Sequence, residues 1–141
     1  MNIKEAEEQI MEEFSHFSDW MDRYNYIIEL GKSLPVIDPQ YKTEQYLISG
    51  CQSQVWLHAR YEEGKIVFTA DSDAIITKGI VNLLIRVLSG QSPEDIINAD
   101  MKYIDSIGLR DHLSPTRSNG LLAMIKQMKL YAVVFKAREG R

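Results

Sequence analysis

Apolar residues recur at helical spacing at both ends of the chain and at strand spacing between. Ile3, Ala6, Ile10, Phe14 and Phe17 fall on one helical face. Asn2 stands at the N-cap position, with Glu5 three residues on to complete a capping box. Ser18 or Asp19 restarts a helix that carries Trp20, Tyr24, Ile27 and Ile28 on one face; Gly31 and then Pro35 are expected to end it. Tyr46-Leu47-Ile48 is short and apolar, and is predicted as a first strand. Val55, Leu57, Ala59 and Tyr61 alternate with Trp56, His58 and Arg60, and Ile66, Phe68 and Ala70 alternate with Val67 and Thr69. Both runs have strand periodicity, and Glu62-Glu63-Gly64-Lys65 reads as the turn that pairs them.

Helices return after this hairpin. Ser72 or Asp73 is expected to cap one whose apolar face is Ile76, Ile80, Leu83, Leu84 and Val87, closed by Gly90. Ser92-Pro93 opens a short helix with proline at its first position. Asp100 can cap another ending near Gly108, and Ser114-Pro115 opens the last, with Leu121, Ile125, Met128, Ala132 and Phe135 at core spacing. Helices, three strands and helices again predict an α+β fold with a small antiparallel three-stranded sheet, in one domain over residues 1–141.

Composition narrows the function more than the fold. A net charge of −4 and a pI near 5.4 argue against a general nucleic-acid surface. The one basic grouping, Lys126, Lys129, Lys136 and Arg138 in the last helix, reads as a solvated face. The most apolar window, Gly79 to Leu88, is broken by Asn82 and Arg86 and is too short to span a bilayer. Glu5, Glu7 and Glu8 near the start do not suit a signal peptide. A lone cysteine fits a reducing compartment, so the expected location is cytoplasmic, with no membrane partner.

That cysteine, Cys51, is the only thiol in 141 residues. It excludes an internal disulfide and cannot alone ligate an iron–sulfur cluster or a structural zinc. His16, His58 and His112 form no metal-ligand spacing with it, so no metal or other cofactor is expected. His58 is read as solvent-facing, Asp71, Ser72 and Asp73 as a helix cap rather than an acidic metal site, and Trp56 as core packing. Cys51 lies in Ser49-Gly50-Cys51-Gln52-Ser53-Gln54, a polar stretch between apolar runs. Gly50 can take the positive φ that a sharp turn needs. A free cysteine is often just a small buried hydrophobe, so an interaction module with a structural Cys51 stays open as the alternative.

Gly50-Cys51-Gln52-Ser53-Gln54-Val55-Trp56-Leu57 resembles the active loop of SufE-type sulfur acceptor proteins. Three other segments agree with that family in order and spacing. They are Tyr26 to Pro35, Asp71 to Gly79, and Leu113 to Leu121, and the likeness runs over roughly residues 14–135. The resemblance implies a SufE/IscU-like fold and a non-enzymatic partner of a SufS-type, pyridoxal-phosphate-dependent cysteine desulfurase. Such a protein stimulates the desulfurase, carries sulfur as a persulfide on Cys51 and delivers it to iron–sulfur scaffold proteins; a homodimer is left open. It also implies a role for Arg117, within Ser114-Pro115-Thr116-Arg117-Ser118, in stabilising the anionic sulfur or docking the partner.

Overall fold

The computed structural model describes residues 1–139. Helices α1 (Ile3–Ser15) and α2 (Trp20–Lys32) come first, followed by two single 3-10 turns, Pro39–Tyr41 and Glu44–Tyr46. Strands β1 (Val55–Glu62) and β2 (Lys65–Ser72) form an antiparallel hairpin. The rest is helical: α3 (Ile75–Leu88), α4 (Pro93–Asn98), α5 (Tyr103–Ser106), α6 (Leu109–His112) and α7 (Pro115–Glu139). The fold is α+β, as the hydrophobic pattern predicts.

The caps read from the sequence form at the start of the chain. Asn2 Oδ1 accepts from the Glu5 amide at 2.8 Å, and Glu5 Oε1 accepts from the Asn2 amide at 3.0 Å. Asp19 caps α2 through the Met21 amide at 2.9 Å. The hairpin turns at Glu63 and Gly64, both at positive φ (52° and 81°). That pair of angles is what a two-residue turn between right-twisted strands requires. Val55 and Leu57 of β1 and Ile66, Phe68 and Ala70 of β2 are buried, and α3 packs against β2.

The sheet has two strands, not three. Tyr46-Leu47-Ile48 supplies one bridge, Leu47 to Trp56, before the chain turns away at Gly50. The Ile48 amide donates to the Val55 carbonyl at 2.9 Å, and that rung is where pairing stops. The segment is too short to add a further rung between the 3-10 turn and the loop.

Gly31 does not end α2. It is buried in the last turn of the helix, where α2 crosses α3. A Cβ on Gly31 would stand 2.8 Å from the Gly79 amide nitrogen, and one on Gly79 only 1.9 Å from the Ile27 carbonyl oxygen. Both glycines are there because two helix backbones touch. Helix α3 is the centre of the molecule, packed against α1, α2, β2 and α7. Its predicted face (Ile76, Ile80, Leu83, Leu84, Val87) is buried.

The segment after Asp100 holds two short helices rather than one, separated by Gly108 at φ 80°. Along α7, Leu121, Met128 and Ala132 are buried as expected and Met124 joins them, whereas Ile125 and Phe135 are half-buried. Lys129 does not belong to a solvated face: its ammonium donates to the Ile97 carbonyl at 3.2 Å and to that of Ala99, at the C-terminal end of α4. A cation there meets the negative end of the helix. No described helix is long and apolar enough to cross a membrane.

Candidate functional site

Cys51 sits on the loop between the Leu47 bridge and β1, in the polar stretch that begins with Gly50 at φ 89°. The loop lies on the N-terminal part of α7. A Cβ on Gly50 would stand 3.5 Å from the Ala123 Cβ, and one on Gly120 would stand 3.7 Å from the Cys51 Sγ. The bare Gly120 backbone leaves its carbonyl open, and the Cys51 thiol donates to it at 3.7 Å. Cys51 is half-buried, and burial pushes its thiol above the ordinary value. In this arrangement the sulfur is held protonated, because a thiolate would face a carbonyl oxygen in a partly dry site.

Asp71, Ser72 and Asp73 do not cap α3 as expected. The N-cap residue is Ala74, with no side-chain cap. Instead, Ser72 and Asp73 hold the C-terminal foot of the cysteine loop. The Ser72 hydroxyl donates to the Gln54 carbonyl at 2.7 Å and accepts from the Ala74 amide at 3.2 Å. The Gln54 amide donates to Asp73 Oδ1 at 3.0 Å, and the Asp73 amide donates back to the Gln54 carbonyl at 3.3 Å. Loop and helix start are thereby tied at one residue. Asp71 faces the other way and pairs with Lys42 at 3.0 Å and Lys78 at 3.4 Å. Burial alone would raise its carboxyl, but the hydrogen bonds from Lys42 and the Ser72 amide outweigh it and hold it below the usual carboxylate range.

A cavity of about 60 Å³ opens beside the thiol. Cys51, Gln52 and Ser53 line it from the loop, Thr77 and Ile80 from α3, and Thr116, Arg117, Gly120 and Met124 from α7. A water needs roughly 10–15 Å³ of such space, so one more sulfur atom on Cys51 can be accommodated. The structure therefore brings Cys51 and Arg117 to the same cavity, although 66 positions part them in the sequence (117 − 51). Arg117 is exposed, and its amide donates to the Ser114 hydroxyl, which caps the helix, at 3.3 Å. The sequence reading missed Thr77 and Met124, because both read there as ordinary helix residues.

Two other expectations change. His58 is not solvent-facing. Its ring stacks on Tyr41 with centroids 3.5 Å apart, and Tyr46 meets it edge-on at 5.5 Å. Burial first, and then the Arg60 charge, hold its imidazole below the ordinary value. Trp56 is not in the core but half-buried on the outer face of the hairpin, with the Lys42 ammonium 5.0 Å above its ring. Neither residue lines the Cys51 cavity. Among the described residues no cluster of three or more His, Cys, Asp or Glu side chains could hold a metal ion.

Residues 8–132 match the model of the SufE family, described as an Fe–S metabolism associated domain. The chain belongs to the SufE family. It is 39% identical over 127 residues to an uncharacterized SufE-like protein of Rhizobium meliloti (strain 1021), which covers 86% of this chain and 91% of that protein. The solution structure of a hypothetical protein from Thermus thermophilus has the same fold, with a TM-score of 0.74 over 90% of this chain and 93% of that one. At 24% identity it speaks for the fold alone. In this SufE-family chain the match takes in both Cys51 and Arg117.

Proposed function

We propose that this protein is a sulfur acceptor that carries sulfane sulfur on Cys51 as a persulfide. The donor in this reading is a SufS-type cysteine desulfurase, which the protein stimulates, and the recipient is an iron–sulfur scaffold protein. The observation that carries it is the lone thiol, on a loop with a glycine at its turn, beside a cavity with room for one more sulfur and with Arg117 in its lining. The transfer balances without an external oxidant or reductant. Cys51 loses its proton and attacks the outer sulfur of the desulfurase persulfide. The S–S bond of the donor breaks, its cysteine leaves as a thiolate, and Cys51 ends as a persulfide anion. No second thiol in the chain can resolve that persulfide, which suits a carrier.

The loop has to open for this step. In the closed form the thiol is protonated and half-covered, and attack by a thiolate requires both to change. The closed form shelters a loaded sulfur from stray thiols, and docking on the desulfurase opens it. The domain has no catalytic cycle of its own in this reading, only half of a sulfur transfer.

The contact of Cys51 with Gly120 also suits a purely structural cysteine in an interaction module. Intact mass separates the two. After incubation with a desulfurase and cysteine, wild-type protein should gain one sulfur atom or more, and Cys51→Ser none. An unchanged wild-type mass while the desulfurase turns over would leave only the structural reading.

A further inference from the structure

Thr77 is 7% exposed, on the third residue of α3, and lines the cavity. Its hydroxyl makes no hydrogen bond with any described residue, yet it is not sealed in the interior, because it opens onto the space beside Cys51. A hydroxyl that faces a cavity and has no protein partner is free to donate to an acceptor placed there. The cavity is built for an anion in two further respects. Thr116 and Arg117 are the second and third residues of α7, so both long helices meet the cavity with their N-terminal turns. The first turn of α3 also has no side-chain cap to occupy its amides. Helix N-termini favour negative charge.

The uncharged thiol uses none of this, since it donates to the Gly120 carbonyl. A persulfide differs in both respects. Its inner sulfur has no hydrogen to give to Gly120, and its outer sulfur, about 2 Å farther out, carries negative charge and needs donors. We propose that the Thr77 hydroxyl donates a hydrogen bond to the outer sulfur of the Cys51 persulfide and so holds the loaded sulfur in the cavity. This rests on the reading of Cys51 as a sulfur carrier. Thr77 is then a positioning residue for the loaded state alone, with no part in the free thiol.

The test loads the protein with inorganic polysulfide, which places a sulfane sulfur on Cys51 without the desulfurase. Cyanide then strips the outer sulfur as thiocyanate and leaves the thiolate. Thr77→Val, nearly the same shape without the donor, should lose its sulfur about ten-fold faster than wild type, as expected for a hydrogen bond to a charged group. Thr77→Ser should keep the wild-type rate. Alkylation of the unloaded Cys51 by iodoacetamide should proceed at one rate in all three, because the free thiol does not use Thr77. Thr77→Ala provides a second variant without the donor if valine packs poorly. Equal cyanide rates in wild type and Thr77→Val would overturn the assignment. So would equal acceleration of both reactions, which would mean a loosened loop. Loading from polysulfide but not from the desulfurase, with the Thr77 effect intact, would remove the acceptor reading and keep the hydroxyl's role.

Discussion

The seam where α1, α2 and α3 meet and the loop that carries Cys51 are built by opposite means. In the seam, backbones touch at Gly31 and Gly79, and Asn82 Nδ2 donates to the Leu30 carbonyl at 2.7 Å. Glu13 takes two hydrogen bonds from the Arg86 guanidinium, one at 2.8 Å, and a third from the Tyr26 hydroxyl. In the loop, the Cys51 thiol supplies the only hydrogen bond made by residues 49–53 among the described residues, and sulfur is a weak donor. The seam is over-determined, whereas the loop is held by hydrogen bonds at its feet and one weak bond at the thiol. A rigid body that presents a loosely held thiol can open the loop at low cost without disturbing the core.

Changes in the seam should therefore act mainly on stability, and changes at the loop mainly on the reactivity of Cys51. Gly79→Ala is the strongest challenge, because its methyl group would overlap the Ile27 carbonyl. It should lower stability in urea unfolding by about 3 kcal/mol, the upper end for overpacking. A loss under about 1 kcal/mol would mean that the two helices separate easily and that the contrast is false. Glu13→Gln should cost about 1–2 kcal/mol at neutral pH, less than a fully buried pair because both side chains are about a quarter exposed (24% for Glu13, 26% for Arg86). The Arg86 hydrogen bonds hold the Glu13 carboxyl below the usual range. Its contribution is thus present above the unfolded value, about 4.3, and is lost as pH falls through the lower folded value. Wild type and Glu13→Gln should converge in acid; a gap that stayed constant down to about pH 2 would count against the ion pair as its source.

At the loop the effects on stability shrink and those on reactivity grow. Asp73→Ala removes one tie at Gln54 and should cost only about 0.5–1 kcal/mol, yet iodoacetamide should reach Cys51 roughly three- to five-fold faster. Burial raises the Cys51 thiol in the closed loop, so the pH midpoint of alkylation should lie above the ordinary thiol value, about 8.5, and drop toward it in this variant. Unchanged rate and midpoint would show that the Gln54 tie does not control the loop. Arg117→Ala should be nearly silent in stability, under about 0.5 kcal/mol, because the residue is exposed. Sulfur loading from a desulfurase should fall all the same. Arg117→Lys should restore it if charge is what matters and not if the planar fork is. Full loading by Arg117→Ala would leave Arg117 a surface residue.

Local signals were legible in the sequence, and contacts between distant segments were not. The capping box at Asn2 and Glu5, the Glu63-Gly64 turn and the apolar face of α3 each depend on residues within one element, and each formed. Gly31 looked like a helix stop because glycine often is one; its reason for being there, a crossing with Gly79, lies 48 residues away (79 − 31). Ser72 and Asp73 have the composition of a cap, but Gln54 was the better partner once the hairpin brought it alongside. His58 looked exposed by alternation alone, with no sign that the 3-10 turns would lay Tyr41 and Tyr46 over it. Cys51 stood out as a lone thiol. A role for Arg117 beside it came from family resemblance, since no periodic pattern joins the two, and the shared cavity came from the structure. Thr77 fell within the Asp71–Gly79 segment that resembles the family, but nothing in the sequence singled it out; only the cavity places it beside Cys51.

The hydrogen bond from the Ile48 amide to the Val55 carbonyl closes the cysteine loop at its neck. Both arms of the loop leave from that rung, and Cys51 is three residues along the shorter arm. A fully extended chain advances about 3.3–3.6 Å per residue, so the thiol is on a leash of roughly 10 Å. If Cys51 is the sulfur carrier proposed above, that length limits the handover. A donor sulfur recessed deeper than this in its own protein stays out of reach while the neck holds, however wide the loop swings.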